Sequence, residues 1–117
     1  MRAVAINRFG GPEVLEVTEL PKPTPGEGEV LVRVRAAAVN PVDWKIREGF
    51  LKGGIPHAFP LIPGWDMAGV VEANGHAARR FGAGEAVYGY CRRPTLQHGT
   101  YAEYICLPEA YLAPKPE

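Results

Sequence analysis

The densest run of unusual residue choices in this chain extends from Val39 to Gly49 and resumes from Pro60 to Val71. Within it stand an amide, an ammonium group and a carboxylate, supplied by Asn40, Lys45 and Asp66. Amide and ammonium groups donate hydrogen bonds, and a donor held against an oxygen stabilises negative charge that builds up there. Four aromatic side chains accompany these groups along the chain: Trp44, Phe50, Trp65 and Tyr90.

Metal-ligand spacing is missing from the sequence. Cys91 and Cys106 are the only cysteines. They form neither a CxxC pair nor a series of spacings typical of a disulfide framework. His57, His76 and His98 are scattered along the chain. We therefore predict no metal site and two reduced, partly buried thiols, with a bridge between the thiols as the alternative.

The charge balance argues against large anionic partners. The 13 basic residues equal the 13 acidic residues, and the pairs Arg79-Arg80 and Arg92-Arg93 are most simply solvated loop charges. The longest apolar runs, such as Ala36 to Val39, are far below the ~20 residues that a membrane-spanning helix needs. We therefore expect no nucleic acid, no membrane and a cytoplasmic location.

The elements around Asn40 are the clearest in the sequence. Glu29 to Val39 alternates apolar and basic residues and predicts a strand with its valines and alanines, including Ala36 and Ala38, on the buried face. Pro41 at a first helical position and Gly49 as a stop predict one short helix. Asn40 would then cap this helix, which is also an ordinary structural role for asparagine.

The remaining elements predict a mainly β fold. Strands are expected at 2–6 and 14–18 as a hairpin, at 66–73 with a bulge or close approach at Gly69, and at 84–90 and 99–107. Residues 50–63 and 92–98 are expected to be loops, the first a lid or rim, because proline and glycine interrupt it. The short strands favour one small barrel or sandwich domain over residues 1–117.

Five motifs together resemble one family. They read VNPVDWKIREG, PLIPGWDMAGVV, FGAGEAVYG, GTYAEY and, near the start, FGGPEVL. The chain is similar over essentially its whole length to the zinc-free quinone oxidoreductase, or zeta-crystallin-like, branch of the medium-chain dehydrogenase/reductase superfamily. The resemblance implies a GroES-like, partly open barrel with one or two short helices.

The resemblance also implies chemistry without zinc. In the zinc-dependent relatives, cysteine and histidine ligands stand where this chain has Asn40 and Trp65, and an amide and an indole do not ligate zinc. In the zinc-free branch, NADPH delivers hydride to a quinone or an α,β-unsaturated carbonyl (an enone). Hydrogen-bond donors must then stabilise the charge on the carbonyl oxygen.

The site residues follow from this resemblance. Asn40 is predicted to face the nicotinamide and the substrate. Lys45 is predicted to reach the cofactor phosphates and assist Asn40, or to be merely a solvated helix residue. Tyr90 is predicted to donate a hydrogen bond toward the cofactor. Asp66 would orient Asn40 or Lys45, or form an ion pair with an arginine such as Arg47. The side chains of Trp44, Phe50 and Trp65 would line the substrate pocket or belong to the core.

The resemblance leaves the nucleotide-binding domain outside this sequence. Gly82-Ala83-Gly84 lacks the third glycine and the following helix of a dinucleotide motif, and residues 112–117 read as a linker. We expect the chain to stop near residues 113–117, before that domain, to be inactive alone, and to belong to a homodimer when complete. The alternatives are a stand-alone GroES-like binding module that grips a partner with residues 50–63, and an enoyl-reductase piece of a larger synthase.

Overall fold

Strands dominate the computed structural model, which describes residues 1–117. The strands are β1 (Arg2–Ala5), β2 (Glu16–Glu19), β3 (Glu29–Ala38), β4 (His57–Ile62), β5 (Asp66–Asn74), β6 (Ala86–Tyr90), β7 (Leu96–His98), β8 (Tyr104–Pro108) and β9 (Leu112–Pro114). The single α-helix, α1, covers Pro41–Arg47, and two 3₁₀ turns cover Pro12–Val14 and Glu109–Tyr111. No closed barrel forms, so the prediction of a mainly β, partly open fold with little helix is confirmed.

A five-stranded antiparallel sheet carries the main core. Its strand order is β8-β3-β5-β6-β9, and β3 pairs with β8 on one side and with β5 on the other. The valines of β3, β5 and β6 meet the aliphatic residues of β8 in one buried cluster, which includes Val30, Val32, Val71, Val87, Ile105 and Leu107. Burying each such side chain stabilises the fold by roughly 1.5–3 kcal/mol, so this sheet is the rigid frame of the molecule.

β3 is buried in only half of its length, which corrects the sequence expectation. Val30 and Val32 are fully buried, but Ala36 and Ala38 are exposed. The reason is the pairing: β8 accompanies β3 only from Glu29 to Arg33, whereas β5 follows it to Ala38. The far end of β3 therefore leaves the core and projects toward α1.

The prediction of a loop over residues 50–63 is wrong for its second half. Residues 57–62 form β4, which pairs in parallel with β7, and β7 lies inside the stretch 92–98 that was also predicted as a loop. The pairing with β7 is confined to His57 and Ile62, so Pro60 lies in an irregular stretch where its missing N–H costs no ladder bond. Proline therefore gave the wrong signal at this position.

The ends of the other strands differ in detail from the sequence prediction. The hairpin of β1 and β2 is confirmed, with Arg2 opposite Glu19. Residues 99–103 form no regular strand, and β8 starts at Tyr104. Residues 112–114, predicted as part of a linker, form β9 because they pair with β6 at the edge of the large sheet.

Two glycines are required by close approach and backbone shape, and the close approach at Gly69 was predicted. A side chain at Gly69 would collide with the Arg33 carbonyl oxygen, next to a register irregularity between Val34 and Ala36. Gly64 has φ +103°, and any side chain there would meet Thr100 and the Tyr101 ring. Gly64 therefore allows the segment before β5 to lie against the segment before β8.

Candidate functional site

Asn40 lies at the junction of β3 and α1, where the sequence predicted it. Its backbone is extended (φ −121°, ψ 154°), Pro41 begins the helix, and Asn40 and Asp43 form the capping pair. The backbone N–H of Asn40 donates to Oδ2 of Asp43 over 2.8 Å. This pairing satisfies a donor at the helix start and fixes the direction in which β3 enters α1.

The side chain of Asn40 is held separately, by Asp66. Nδ2 of Asn40 donates to Oδ2 of Asp66 over 2.7 Å. The sheet register produces this contact, because Asp66, the first residue of β5, lies opposite Ala38, near the end of β3. Since a carboxylate accepts hydrogen bonds and does not donate them, the contact also fixes which end of the amide faces Asp66.

The alternative partner for Asp66, Arg47, is engaged elsewhere. Nε of Arg47 donates to the Gly10 carbonyl oxygen over 3.1 Å, and a terminal nitrogen lies 3.7 Å from the carboxylate of Glu48. The ion pair between Asp66 and Arg47 that the sequence left open is therefore not formed. Asp66 is the partner of Asn40 instead.

Sequence reasoning missed a second carboxylate contact at this site. The hydroxyl of Tyr101 donates to Oδ2 of Asp43 over 2.6 Å, so that one oxygen accepts from both Tyr101 and the Asn40 N–H. Asp43 is buried, with 6% of its surface exposed, and its other oxygen, Oδ1, has no partner. An acidic residue three positions after an asparagine cap is a recognisable local signal for Asp43, but nothing local points to Tyr101.

Trp65, Tyr90 and Arg92 form an aromatic and cationic cluster beside Asp66. Tyr90 of β6 lies opposite Asp66 in the ladder, and its ring meets Trp65 edge to face at 5.9 Å. The guanidinium of Arg92 lies 5.4 Å from the centre of the Trp65 ring. Trp65 also packs against the buried cluster that contains Leu61, and its side chain is partly buried.

Trp44, Phe50 and Lys45 lie on the exposed side of α1 and the turn after it. The rings of Trp44 and Phe50 meet edge to face at 5.8 Å, and 43% and 68% of their surfaces are exposed. Nζ of Lys45 lies 5.7 Å from the Trp44 ring and reaches neither Asp43 nor Asp66. Trp44 and Phe50 together form the exposed aromatic surface that we name the apolar face.

Of the predicted site residues, only Trp65 lines one of the two main pockets of the structure. The space beside Trp65 and Cys91 holds only about 10 Å³, room for about one water molecule. A groove of about 670 Å³ runs between the β2–β3 connection and the segment Arg93–Gly99, and none of the predicted site residues lines it. The role of Trp44, Phe50 and Trp65 as a substrate pocket therefore stays a prediction.

The two cysteines are free, and burial governs their acidity. Burial, followed by the negative charge of Asp66, raises the pKa of the Cys91 thiol to about 12. Burial and then Glu29 raise the pKa of Cys106 to about 11, with Arg93 opposing. Both thiols are therefore protonated at neutral pH, and no group of three or more potential metal ligands occurs in the structure.

Arg93 is not a purely solvated charge. It is half-buried, and its guanidinium lies 3.4 Å from the Glu29 carboxylate and donates to the Cys106 carbonyl oxygen over 3.2 Å. Arg79 and Arg80 are exposed, as predicted.

Comparison with known protein families gives a direct match. The profile of the "Alcohol dehydrogenase GroES-like domain" covers residues 26–117. The chain belongs to this family. The resemblance to the quinone oxidoreductases of the medium-chain dehydrogenase/reductase superfamily, inferred from the five motifs, is confirmed by the relatives.

Curated relatives of this GroES-like domain carry oxidoreductase names. A chloroplastic quinone-oxidoreductase homolog of Spinacia oleracea is 37% identical over 99% of the chain, which covers 35% of that protein. The quinone oxidoreductase of Mus musculus is 36% identical over 100% of the chain, which covers 34% of that protein. The chain therefore spans about a third of the length of these relatives.

Solved structures repeat the fold of the GroES-like domain. A structure named NAD-dependent alcohol dehydrogenase matches 99% of the chain with a TM-score of 0.88 and 42% identity, over 40% of its own chain. The quinone oxidoreductase of Escherichia coli, complexed with NADPH, matches 99% of the chain with a TM-score of 0.87 and 28% identity, over 33% of its own chain. No helix of the GroES-like domain has the length and apolar character needed to cross a membrane.

Proposed function

We propose that this GroES-like domain is the substrate-side part of an NADPH-dependent quinone or enone reductase that works without zinc. Two kinds of observation support the proposal: the names of the relatives, and the hydrogen-bonded amide of Asn40. The complete polypeptide would add a nucleotide-binding domain and assemble as a homodimer. The 117-residue chain alone would be inactive, and a cytoplasmic location stays a prediction.

The contact between Asn40 and Asp66 carries the proposal. An amide nitrogen bears two hydrogens, and Asp66 takes one of them over 2.7 Å. The second hydrogen of Nδ2 is left to donate to a substrate oxygen. Because Asp66 already orients the amide, little reorganisation is needed when negative charge develops on that oxygen.

This donor suits the reduction of a conjugated carbonyl. NADPH, when bound, supplies the hydride. As hydride adds to the β-carbon of the substrate, the displaced electron pair moves through the conjugated bonds onto the carbonyl oxygen, where Asn40 donates. A proton from solvent completes the reduction. The domain thus needs no nucleophile of its own.

Zinc does not fit the residues at this position. Catalytic zinc is held by about three thiolate, imidazole or carboxylate donors. The amide of Asn40 and the indole of Trp65 are poor zinc ligands, and Cys91 is a protonated thiol directed at the Gly89 carbonyl oxygen, 3.4 Å away. The proposed reaction therefore involves no metal ion.

The remaining predicted residues have supporting roles in this proposal. Asp66 orients Asn40, and Lys45 and Tyr90 would offer an ammonium group and a phenol to the cofactor. Trp44, Phe50 and Trp65 supply apolar surface for a flat substrate ring. The exposure of Trp44, Phe50 and Tyr90 is consistent with surfaces that another domain or a ligand covers.

Replacement of Asn40 tests the proposal. In the complete polypeptide, Asn40→Ala should lower kcat for quinone reduction about 100-fold, the usual cost of losing one oxyanion donor. The affinity for NADPH, measured by fluorescence quenching, should change little, because most cofactor contacts lie in the other domain.

The matched control is Asn74→Ala, which removes an equivalent amide at the opposite end of β5. Asn74 donates to the Phe81 carbonyl oxygen over 2.7 Å and has no part in the site. The control should retain wild-type kcat. Equal turnover in Asn40→Ala and Asn74→Ala would remove Asn40 from the mechanism.

A further inference from the structure

We infer that Tyr101 and Asp43 are positioning residues, which hold Asn40 in place by a hydrogen-bond relay that starts in the segment before β8. The inference rests on the proposed role of Asn40. The observation that carries it is one buried oxygen, Oδ2 of Asp43, which accepts from the Tyr101 hydroxyl over 2.6 Å and from the Asn40 N–H over 2.8 Å.

Asp43 depends on these two donors. Its side chain is almost completely buried, and Oδ1 has no partner, so both hydrogen bonds fall on Oδ2. A buried carboxylate is costly unless hydrogen bonds compensate it. Without the Tyr101 hydroxyl, the carboxylate would retain a single donor, the backbone N–H of Asn40, and would be less firmly fixed against it.

Tyr101 is well anchored for this task. Its backbone N–H donates to the Pro63 carbonyl oxygen over 3.0 Å, and its own carbonyl oxygen accepts from Val4 of β1 over 2.9 Å. Gly64 leaves room for its ring. The hydroxyl therefore approaches Asp43 from a backbone that two neighbouring segments hold fixed.

Tyr101 also stays a donor over the working pH range. Burial, followed by the hydrogen bond to Asp43 and the charge of Asp43, raises the pKa of the Tyr101 phenol well above its ordinary value. A phenol that remains protonated cannot become a repulsive phenolate beside the carboxylate. The hydroxyl of Tyr101 therefore remains a donor to Asp43 at alkaline pH values where an ordinary phenol would lose its proton.

Asn40 is therefore held at two points by two carboxylates. Asp66 holds the side chain, and Asp43, supported by Tyr101, holds the backbone. Precise placement of a donor decides how much it stabilises a developing charge, and small displacements cost rate. Tyr101 acts on the reaction only through this placement and touches neither substrate nor cofactor.

Nuclear magnetic resonance on the unmodified chain gives the first test. Two donors on one oxygen lie close together, so the Tyr101 hydroxyl proton should exchange slowly and show a cross-peak to the Asn40 backbone N–H. Fast exchange and no cross-peak would overturn the relay. This measurement needs no substitution and is independent of any activity.

Tyr101→Phe gives the second test, with Tyr104→Phe as the matched control. Tyr104 loses an equivalent hydroxyl, but its ring lies 4.2 Å from Nζ of Lys22, outside the site. Tyr101→Phe should shift the backbone and side-chain resonances of Asn40. In the complete polypeptide it should lower kcat about tenfold, worth ~1.4 kcal/mol, with KM for the quinone unchanged.

The outcomes separate this inference from the proposed function. Unmoved Asn40 resonances in Tyr101→Phe, or kcat equal to that of Tyr104→Phe, would overturn the positioning role. Unchanged turnover in Asn40→Ala would instead overturn the proposed function. A Tyr101→Phe protein with lower thermal stability but wild-type kcat would show that the hydroxyl only stabilises the fold, and would also overturn the inference.

Discussion

At the scale of single residues, burial decides which groups can react. Cys91 is 1% exposed and lies close to the charge of Asp66, and both effects favour the neutral thiol. Asn40 needs no ionisation of its own to act as a donor. The alkaline behaviour of the protein should therefore appear in its stability rather than in the chemistry of Asn40.

The Cys91 thiol makes stability pH-dependent in a defined window. Its pKa rises from 9.0 to about 12 on folding, so between these values the unfolded chain has lost a proton that the folded chain retains. The free energy of unfolding should be unaffected by this group below pH 9 and should fall as pH rises toward 12. The slope from one proton is at most about 1.4 kcal/mol per pH unit.

Urea denaturation at pH 8, 9.5 and 11 measures this effect. The Cys91→Ala variant should lose less stability over the interval than the wild type, and the remaining decline includes Tyr101, whose raised pKa acts in the same direction. Identical pH slopes for Cys91→Ala and the wild type would contradict the assignment.

At the scale of elements, the turn before β5 connects the core to the candidate site. Gly64 lets the segment before β5 touch Thr100 and Tyr101, and two residues later Asp66 meets Asn40. The turn thus helps to position both carboxylate contacts of the site, that of Tyr101 with Asp43 and that of Asn40 with Asp66. Its shape depends on a φ of +103°, which is open to glycine and strained for other residues.

Gly64→Ala should therefore destabilise the domain strongly. The new methyl group would lie 2.7 Å from a ring carbon of Tyr101, in a backbone conformation that alanine avoids. We expect a loss of about 3 kcal/mol, measured by urea denaturation.

Two other glycines separate the causes of that loss. Gly84→Ala places a methyl group in open space at φ +91°, so it isolates the backbone strain. Gly53→Ala adds a methyl group with no neighbour within 4 Å and no positive φ, and should cost less than about 0.5 kcal/mol. A loss in Gly64→Ala no larger than in Gly84→Ala would refute the steric contribution.

Features that depend on neighbouring residues were predicted from the sequence, whereas contacts between residues distant in the sequence were not. The β3–α1 junction is encoded locally by Asn40, Pro41 and Gly49, and it was predicted correctly. The contact between Tyr101 and Asp43 joins residues 58 positions apart and left no local signal. Pro60 was misread because the proline rule assumes a fully paired strand, whereas β4 is paired only near its two ends.

At the scale of the whole molecule, the apolar face exposes large apolar side chains that a binding partner would bury. Phe50 is 68% exposed, and its ring contacts the half-exposed ring of Trp44. Apolar patches of this kind are costly in water and favour association. We predict that a second copy of the chain covers this apolar face.

Self-association through the apolar face can be tested by sedimentation. The 117-residue chain should associate as concentration rises, and its thermal midpoint should rise with it. Phe50→Ser should weaken this association about tenfold, equivalent to the loss of ~1.4 kcal/mol of apolar burial. The control is Val17→Ser, which changes a residue that is 76% exposed on β2. A monomer with a constant midpoint would contradict the prediction.

Strand β9 limits the ways in which copies can join. It is the outer strand of the large sheet, and the N–H of Lys115 points inward to Ala86. Because backbone groups alternate in direction along a strand, position 114 faces outward, and there proline offers no N–H. The outward-facing backbone N–H groups of β9 are therefore interrupted at Pro114, where a neighbouring chain would otherwise pair. Growth of the sheet into a ribbon of many copies is therefore disfavoured at this border.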